Sequence, residues 1–547
     1  MPHLGVALVA ALGFAVFGFV VMHVLLGSSL AGQDQTWYLY AAGRVLHGTQ
    51  LYGPLLTETN PPLVIWISMV PFALAPLLHL NAVFTLYAVF TLLLLASTFW
   101  CYRLLGQTRI VPGWRALFAL CIFLAMSHVP LRDFAQREQF CVMLLLPYFI
   151  GFGVSRLRPM PAGLAVALGV SAGLAVCCKP QQLLLFAAFH AAAMFHARSW
   201  KLHARSSKLH ARSWKSLLHP LHLALAAAAA TGIAYLAAIA LFTPLYLRST
   251  VHVLVNTYWA FGHYKLLTVE LYDKRFFLLF GVALVLVVYR KRLGLSAFPA
   301  LLLTGIAGSV IAYGLQRTGF GYQHIPQDTL VLLVLLWIGV EAAMARLPAP
   351  QLALQPVLRL ALPLLAGAAL AAVIAVRHDR ASAATQAAGT QPDAIAAFYS
   401  TLPRQTPVFA LSTNPSAAFP YVLEDHLVWA SRFVHLWMLP AVERQEDFAA
   451  GGPRPQKLLP QATTAQLAEL QRSEVAEDLS VREPAYVLVA QCYEAYDCEA
   501  ISGVNFNMLA WFSRSPQFTR AWSAYTLDRT LMAPDGRAQW QVYRRAR

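Results

Sequence analysis

Residues 32–66 read GQDQTWYLYAAGRVLHGTQLYGPLLTETNPPLVIW. Asp34 heads an aromatic-rich segment containing Trp37, Tyr38 and Tyr40. A Gly48-Thr49-Gln50-Leu51-Tyr52 step follows, and then Glu58 stands shortly before Pro61-Pro62 and a new apolar run. The polar stretch is preceded by an apolar one, residues 4–30, with no Lys or Arg ahead of it. That run is too long for the core of a secretory signal and reads as an uncleaved first membrane span. Cleavage near Ser28-Ser29-Leu30-Ala31 is the alternative. Asp34 therefore stands just beyond the end of a span.

The remainder of the chain has the same character. Of 547 residues, 58% are hydrophobic and 12% charged, and the mean hydropathy is +0.55. Soluble proteins carry about 25% charged residues, so disordered, collagen-like and ordinary cytosolic classes are excluded. Spanning-length apolar stretches lie near 82–104, 114–130, 139–155, 162–177, 182–197, 220–242, 276–290, 296–314, 328–345 and 357–376. With the first, they make about eleven transmembrane helices in a mostly α, polytopic membrane protein. The segment 61–78 is broken by Pro71 and Pro76 and reads as a half-inserted or interfacial helix.

The net charge of +16 is not a nucleic-acid signal. Residues 1–376 hold 25 Lys and Arg against 8 Asp and Glu, whereas residues 377–547 hold 16 against 17. The excess is in the membrane half, where loop topology accounts for it. One set of loops collects Arg103, Arg109, Arg115, Arg156, Arg158, the basic residues from 198 to 215, Arg290, Lys291, Arg292, Arg346 and Arg359, with Glu341 its one acid. The opposite set collects Asp34, Glu58, Asp133, Glu138, Glu270, Asp273 and Asp328. By the positive-inside rule the basic set is cytoplasmic. The expectation is an inner (plasma) membrane protein with a cytoplasmic N-terminus. Residues 1–376 form its membrane domain and residues 377–547 a periplasmic or external domain.

The tail reads as a small α/β domain, with strands at 407–411, 485–490 and 540–543 and an amphipathic helix at 463–479. Cys492 and Cys498 lie in it, and an oxidising compartment permits a disulfide. Two unpaired thiols is the other reading. A threefold repeat, HARSWKL-HARSSKL-HARSWKS, runs from 196 to 216. A basic, Trp-containing anchor for anionic lipid is one reading. A duplicated loop whose charges set topology is the favoured one. Its histidines recur every seven residues, roughly 10 Å along a helix, too far apart to share one ion.

Carboxylates from two external loops can form a site at one membrane face. HVPLRDFAQREQF, residues 128–140, adds Asp133, Arg137 and Glu138 to Asp34 and Glu58. Such acids can take a proton from a sugar hydroxyl or hold a divalent ion. Solvated loop charges paired with neighbouring arginines are the plainer reading of any single one.

Four features together resemble the C-type glycosyltransferase superfamily, including the protein O-mannosyltransferases and the lipid A aminoarabinose transferase. They are Asp34 after the first span, the Tyr-containing G-x-x-L-Y helix, Glu58 ahead of Pro-Pro-Leu, and an acid in the second external loop. The resemblance covers residues 1 to about 376. It implies a GT-C fold, a polyprenyl-phosphate-linked sugar donor, and inverting transfer on the outer face to a glycan, lipid or protein acceptor hydroxyl. By the same resemblance Asp34 is the general base and Asp133 or Glu138 the second-loop acid. Tyr38, Glu58 and Arg137 are acceptor-side candidates. A divalent cation (Mg or Mn), if used, would fall to Asp34, Asp133 and Glu138. Where some relatives carry acid-Lys-Pro-Pro, this chain reads TETNPPL.

The donor phosphate calls for cations on the acidic face. Lys179, in CCKPQQ, and Arg317, Tyr322 and His324, in RTGFGYQHIPQ, are the leading candidates; Lys265, Lys274 and Arg275 follow. The rivals are a flippase of lipid-linked sugars and a non-catalytic envelope assembly protein. A flippase predicts charges near the midplane and repeated halves, whereas the acids here cluster at one surface. Membrane lipids are the remaining partner, and no nucleic acid is implied.

Overall fold

A computed structural model describes residues 32–130, 133–155, 157–204, 215–262, 274–346, 394–493, 498, 500–501, 505–532 and 536–546. The first span, the 357–376 span, Arg132, Arg156, Lys265, Glu270, Asp273, Arg359 and most of the second and third repeat copies lie outside these residues.

The apolar runs fold as helices close to their predicted limits. In chain order they are α1 (Gln33–Leu46), α2 (Leu63–Leu77), α3 (Ala82–Leu105), α4 (Pro112–His128), α5 (Arg137–Gly153), α6 (Ala162–Cys178), α7 (Gln182–Ala204), α8 (Lys215–Phe242), α9 (Lys274–Val288), α10 (Phe298–Gln316) and α11 (Ile325–Arg346). Among the described residues, four stretches are long and apolar enough to cross a bilayer: Ala82–Leu105, His219–Phe242, Phe298–Gln316 and Gly321–Ala345. Shorter apolar helices accompany them.

The chain divides into two compact units, and the division interleaves along the sequence. One comprises residues 1–29, 84–237 and 265–382, and its described residues form a helical bundle. In it α7 packs on α10, α5 on α6, and α11 on α4, α9 and α10. Gly308 lets α10 meet the α7 backbone closely, since a Cβ there would stand 2.4 Å from the Leu184 carbonyl oxygen. Buried α10 is central, whereas α8 shows Ile233 and Leu236 on an exposed apolar face, as suits a helix against hydrocarbon. Glu341, the one acid of the basic loop set, accepts from Trp337 Nε1 at 2.9 Å and from the Ser296 amide at 3.0 Å, just before α10. It ties two helix ends together.

The second unit comprises residues 30–83, 238–264 and 383–547. It contains α1, α2 and the C-terminal α/β fold. Strands β1 (Pro407–Leu411), β2 (Val428–Trp429), β3 (Tyr486–Ala490), β4 (Tyr525–Met532) and β5 (Ala538–Arg545) form a sheet in the order β2-β1-β3-β5-β4. The β2-β1-β3 part is parallel; β5 runs antiparallel to β3, and β4 to β5. The predicted strands are the buried ones, β1, β3 and β5. The sequence reading misses β4 because its residues are mostly exposed and carry no apolar run, and β2 because it has two residues. Helices α12 (Leu439–Ala449) and α13 (Gln461–Arg482) connect β2 to β3. Cys492 and Cys498 are joined in a disulfide, so the paired reading holds.

Candidate functional site

Asp34 occupies the first turn of α1, where the exposed amides of the helix end favour a negative charge. Its carboxyl is half-buried. The helix begins at Gly32, whose carbonyl takes the Thr36 amide at 3.2 Å and the Thr36 hydroxyl at 3.0 Å. Gly43 admits the Phe72 ring so closely that a Cβ would stand 2.4 Å from it, which seats α1 on α2.

Glu58 is buried at 1% exposure. Trp37 Nε1 donates to its Oε2. Its Oε1 accepts from the Asn60 amide at 2.8 Å and from Asn60 Nδ2 at 2.7 Å, and Nδ2 also reaches Tyr38 Oη at 3.3 Å. Two of the candidates, Tyr38 and Glu58, thus belong to one hydrogen-bonded assembly built from α1 and the turn before Pro61-Pro62, and Asp34 stands in the first turn of the same helix. Asn60, absent from the candidates, holds the assembly together.

The C-terminal fold touches this assembly directly. Tyr40 Oη accepts from the Trp429 amide at 3.1 Å, and the Phe419 ring meets Trp37 edge-on at 5.3 Å between centroids. The carbonyl of Arg432 accepts from the Thr57 amide at 2.9 Å and the Thr57 hydroxyl at 3.0 Å. Arg482 donates to the Leu55 carbonyl at 2.9 Å. Both arginines meet Asp478 at 3.1 Å, and Arg432 also reaches Glu477 at 2.7 Å and Glu474 at 3.4 Å. Despite burial, this ring of carboxylates holds the Arg432 guanidinium above its ordinary value. Burial, with the neighbouring Asp478 and Glu477, pushes the Glu474 carboxyl up to about 7. No local pattern in the sequence signals residues so far apart. A cavity of about 410 Å³ opens beside the C-terminal end of α1, lined by Val45, Leu51, Trp66, Met69 and Phe242 among others.

The remaining candidates belong to the helical unit. Asp133 lies in a tight turn before α5: its amide reaches the Pro130 carbonyl at 2.7 Å, and its carbonyl takes the Gln136 amide at 3.1 Å. Ala135 adopts a left-handed φ of 70°, with its amide held by Gln139 Oε1 at 2.7 Å. Glu138 and Lys179 form a buried ion pair, the carboxylate 0% and the ammonium 4% exposed, with Arg137 adding a second positive charge nearby. Glu138 Oε2 has no hydrogen-bond partner among the described residues. The Tyr322 ring lies 5.9 Å from Lys179 Nζ. His324 packs on Tyr313, 4.1 Å between centroids, and its Nδ1 meets Gln327 Nε2 at 2.7 Å. Arg317 ends α10 in a left-handed conformation, φ 58°, and is half-buried. Lys179, a candidate for the donor phosphate, is thus paired with Glu138 in this structure. Among the described residues, no three His, Cys, Asp or Glu side chains gather as a metal site.

No family model matches the chain, and no curated protein does. Among solved structures, ArnT from Cupriavidus metallidurans bound to undecaprenyl phosphate is similar over 98% of this chain and 97% of its own, with a TM-score of 0.51 and 11% identity. The chain has an ArnT-like fold. At that identity the likeness concerns the fold alone.

Proposed function

We propose that this protein is a membrane glycosyltransferase that moves a sugar from a polyprenyl-phosphate donor to a hydroxyl of a cell-envelope glycan, lipid or protein on the outer face. The observation that carries the reading is the full-length fold likeness to a protein solved with undecaprenyl phosphate. The place of Asp34 in the first turn of α1 supports it. In the transfer, the acceptor oxygen bonds to the anomeric carbon while the carbon–oxygen bond to the donor phosphate breaks. The hydroxyl proton passes to Asp34, and the configuration inverts. General-base help of this kind is worth about 10²–10⁴-fold. Lys179, Arg317, Tyr322 and His324 are the proposed phosphate-side group, and the apolar cavity beside α1 suits an isoprenoid chain. Asp133, Glu138 and Arg137 are proposed to orient the acceptor.

The test is transfer by purified protein from a polyprenyl-phosphoryl sugar in detergent, without a gradient and with and without chelator. Asp34→Asn, close in shape but unable to take the proton, is expected to lower turnover at least 100-fold while donor binding persists. Near-wild-type turnover would move the base elsewhere, with Glu58 and Asp133 next in line.

A further inference from the structure

One carboxylate in the C-terminal fold controls two separate holds on the turn that carries Glu58. Asp478, on α13, is 1% exposed. Its Oδ1 pairs with Arg432 Nε and Arg482 Nε, both at 3.1 Å, and its Oδ2 accepts from the Arg432 amide at 2.8 Å and the Ser431 hydroxyl at 3.2 Å. Each arginine then reaches the first loop by a different route. Arg432 presents its carbonyl to the amide and hydroxyl of Thr57, and Arg482 donates to the Leu55 carbonyl. Thr57 adjoins Glu58, which takes Trp37 Nε1 on α1 one turn beyond Asp34.

We propose that Asp478 is a positioning residue: through Arg432 and Arg482 it fixes residues 55–58, and through Glu58 and Trp37 it sets the register of the helix that presents Asp34. The carboxyl end of a parallel strand, where open α/β sheets commonly form a ligand crevice, is at β2 given to this loop, since Trp429 ends β2 and Arg432 follows it. A side chain that holds a base from a distance acts on the chemical step more than on substrate capture, because small displacements of a reacting group cost rate steeply. Its catalytic consequence rests on the function proposed above; the mechanical part does not.

The experiment uses the full-length protein in detergent with three variants: Asp478→Asn, Arg432→Lys and Thr57→Val. Hydrogen exchange is followed at 33–46 and 53–60, with 407–411 and 486–490 as the control for the sheet. The expected result is faster exchange in the first two segments and an unchanged sheet. With polyprenyl-phosphoryl sugar, turnover should fall about 10–100-fold for Asp478→Asn with donor KM unchanged, and by less for Thr57→Val, which keeps its amide. Arg432→Lys should recover part of the ion pairing and lie between Asp478→Asn and wild type. Should Asp478→Asn unfold the sheet, Thr57→Val decides, because it removes only a hydroxyl contact. Unchanged exchange at 33–46 and 53–60 with an intact sheet overturns the proposal. A wild-type protein without transferase activity defeats the function instead, leaving the exchange result to judge the positioning.

Discussion

Replacing Lys179 by Met leaves the buried Glu138 carboxylate without the ammonium it pairs with, and with only the Arg137 charge nearby. Neither partner has appreciable exposure, so solvent neither screens the pair nor replaces a lost member. The second oxygen, Oε2, has no described hydrogen-bond partner to absorb the charge. Removing one member of a buried pair typically costs about 3–5 kcal/mol, whereas removing both charges is often neutral or stabilising. Lys179→Met is therefore expected to destabilise the helical unit by about 3–5 kcal/mol, Glu138→Gln to do so less, and the Lys179→Met/Glu138→Gln double variant to recover most of the loss. Apparent melting temperature and the inactivation rate in detergent measure this. Large chains often unfold irreversibly, so the rate is the safer quantity. The double variant also separates two roles for Lys179. If its charge serves only to match Glu138, stability and donor use return together. If it contacts the donor phosphate, stability returns while donor use stays weak, as it should in Arg317→Ala. A Lys179→Met protein as stable as wild type would refute the reasoning, because a fully buried carboxylate that loses its paired ammonium should lose stability even with Arg137 nearby.

The pH response of the C-terminal fold is expected to pass through Glu474. Its folded carboxyl holds a proton up to about 7 because of burial and the adjacent Asp478 and Glu477. A raised value means that the contribution is fully present below the ordinary carboxylate range and is lost as pH rises through about 7. Glu474→Gln should match wild type near pH 4.5 and exceed it by an amount on the order of 3 kcal/mol near pH 8; superimposable stability–pH curves would contradict this. For the disulfide, Cys492→Ser frees a six-residue separation and should cost about 2 kcal/mol through the entropy of the unfolded chain. An oxidised wild type no more resistant to urea than the serine variant would speak against that cross-link as a stabiliser.

Local properties carried much of the architecture. Apolar run length marks helices such as α3 and α10, and the buried strands β1, β3 and β5 are short apolar segments. Helix α13 was legible because its apolar positions recur at helical spacing; its limits extend only from 463–479 to Gln461–Arg482. Asp34 could be placed at the head of a helix because a span end, a polar break and an aromatic segment are adjacent in the chain.

Other relations needed the folded chain. Lys179 read as a phosphate-side cation at a span end, and its partner Glu138 is 41 residues away on a helix that packs beside the one it ends. Glu58 read as a loop acid, yet it is buried on Trp37, 21 residues earlier. Asp478 and its arginines carried no signal, and the joining of residues 30–83 and 238–264 with the C-terminal fold appears in no local pattern. Hydropathy and periodicity describe what each segment does with its own solvent and its own backbone. Which charge meets which depends on helices and loops brought together across tens or hundreds of residues, and burial then makes that meeting decisive by removing the water that would otherwise have served either partner.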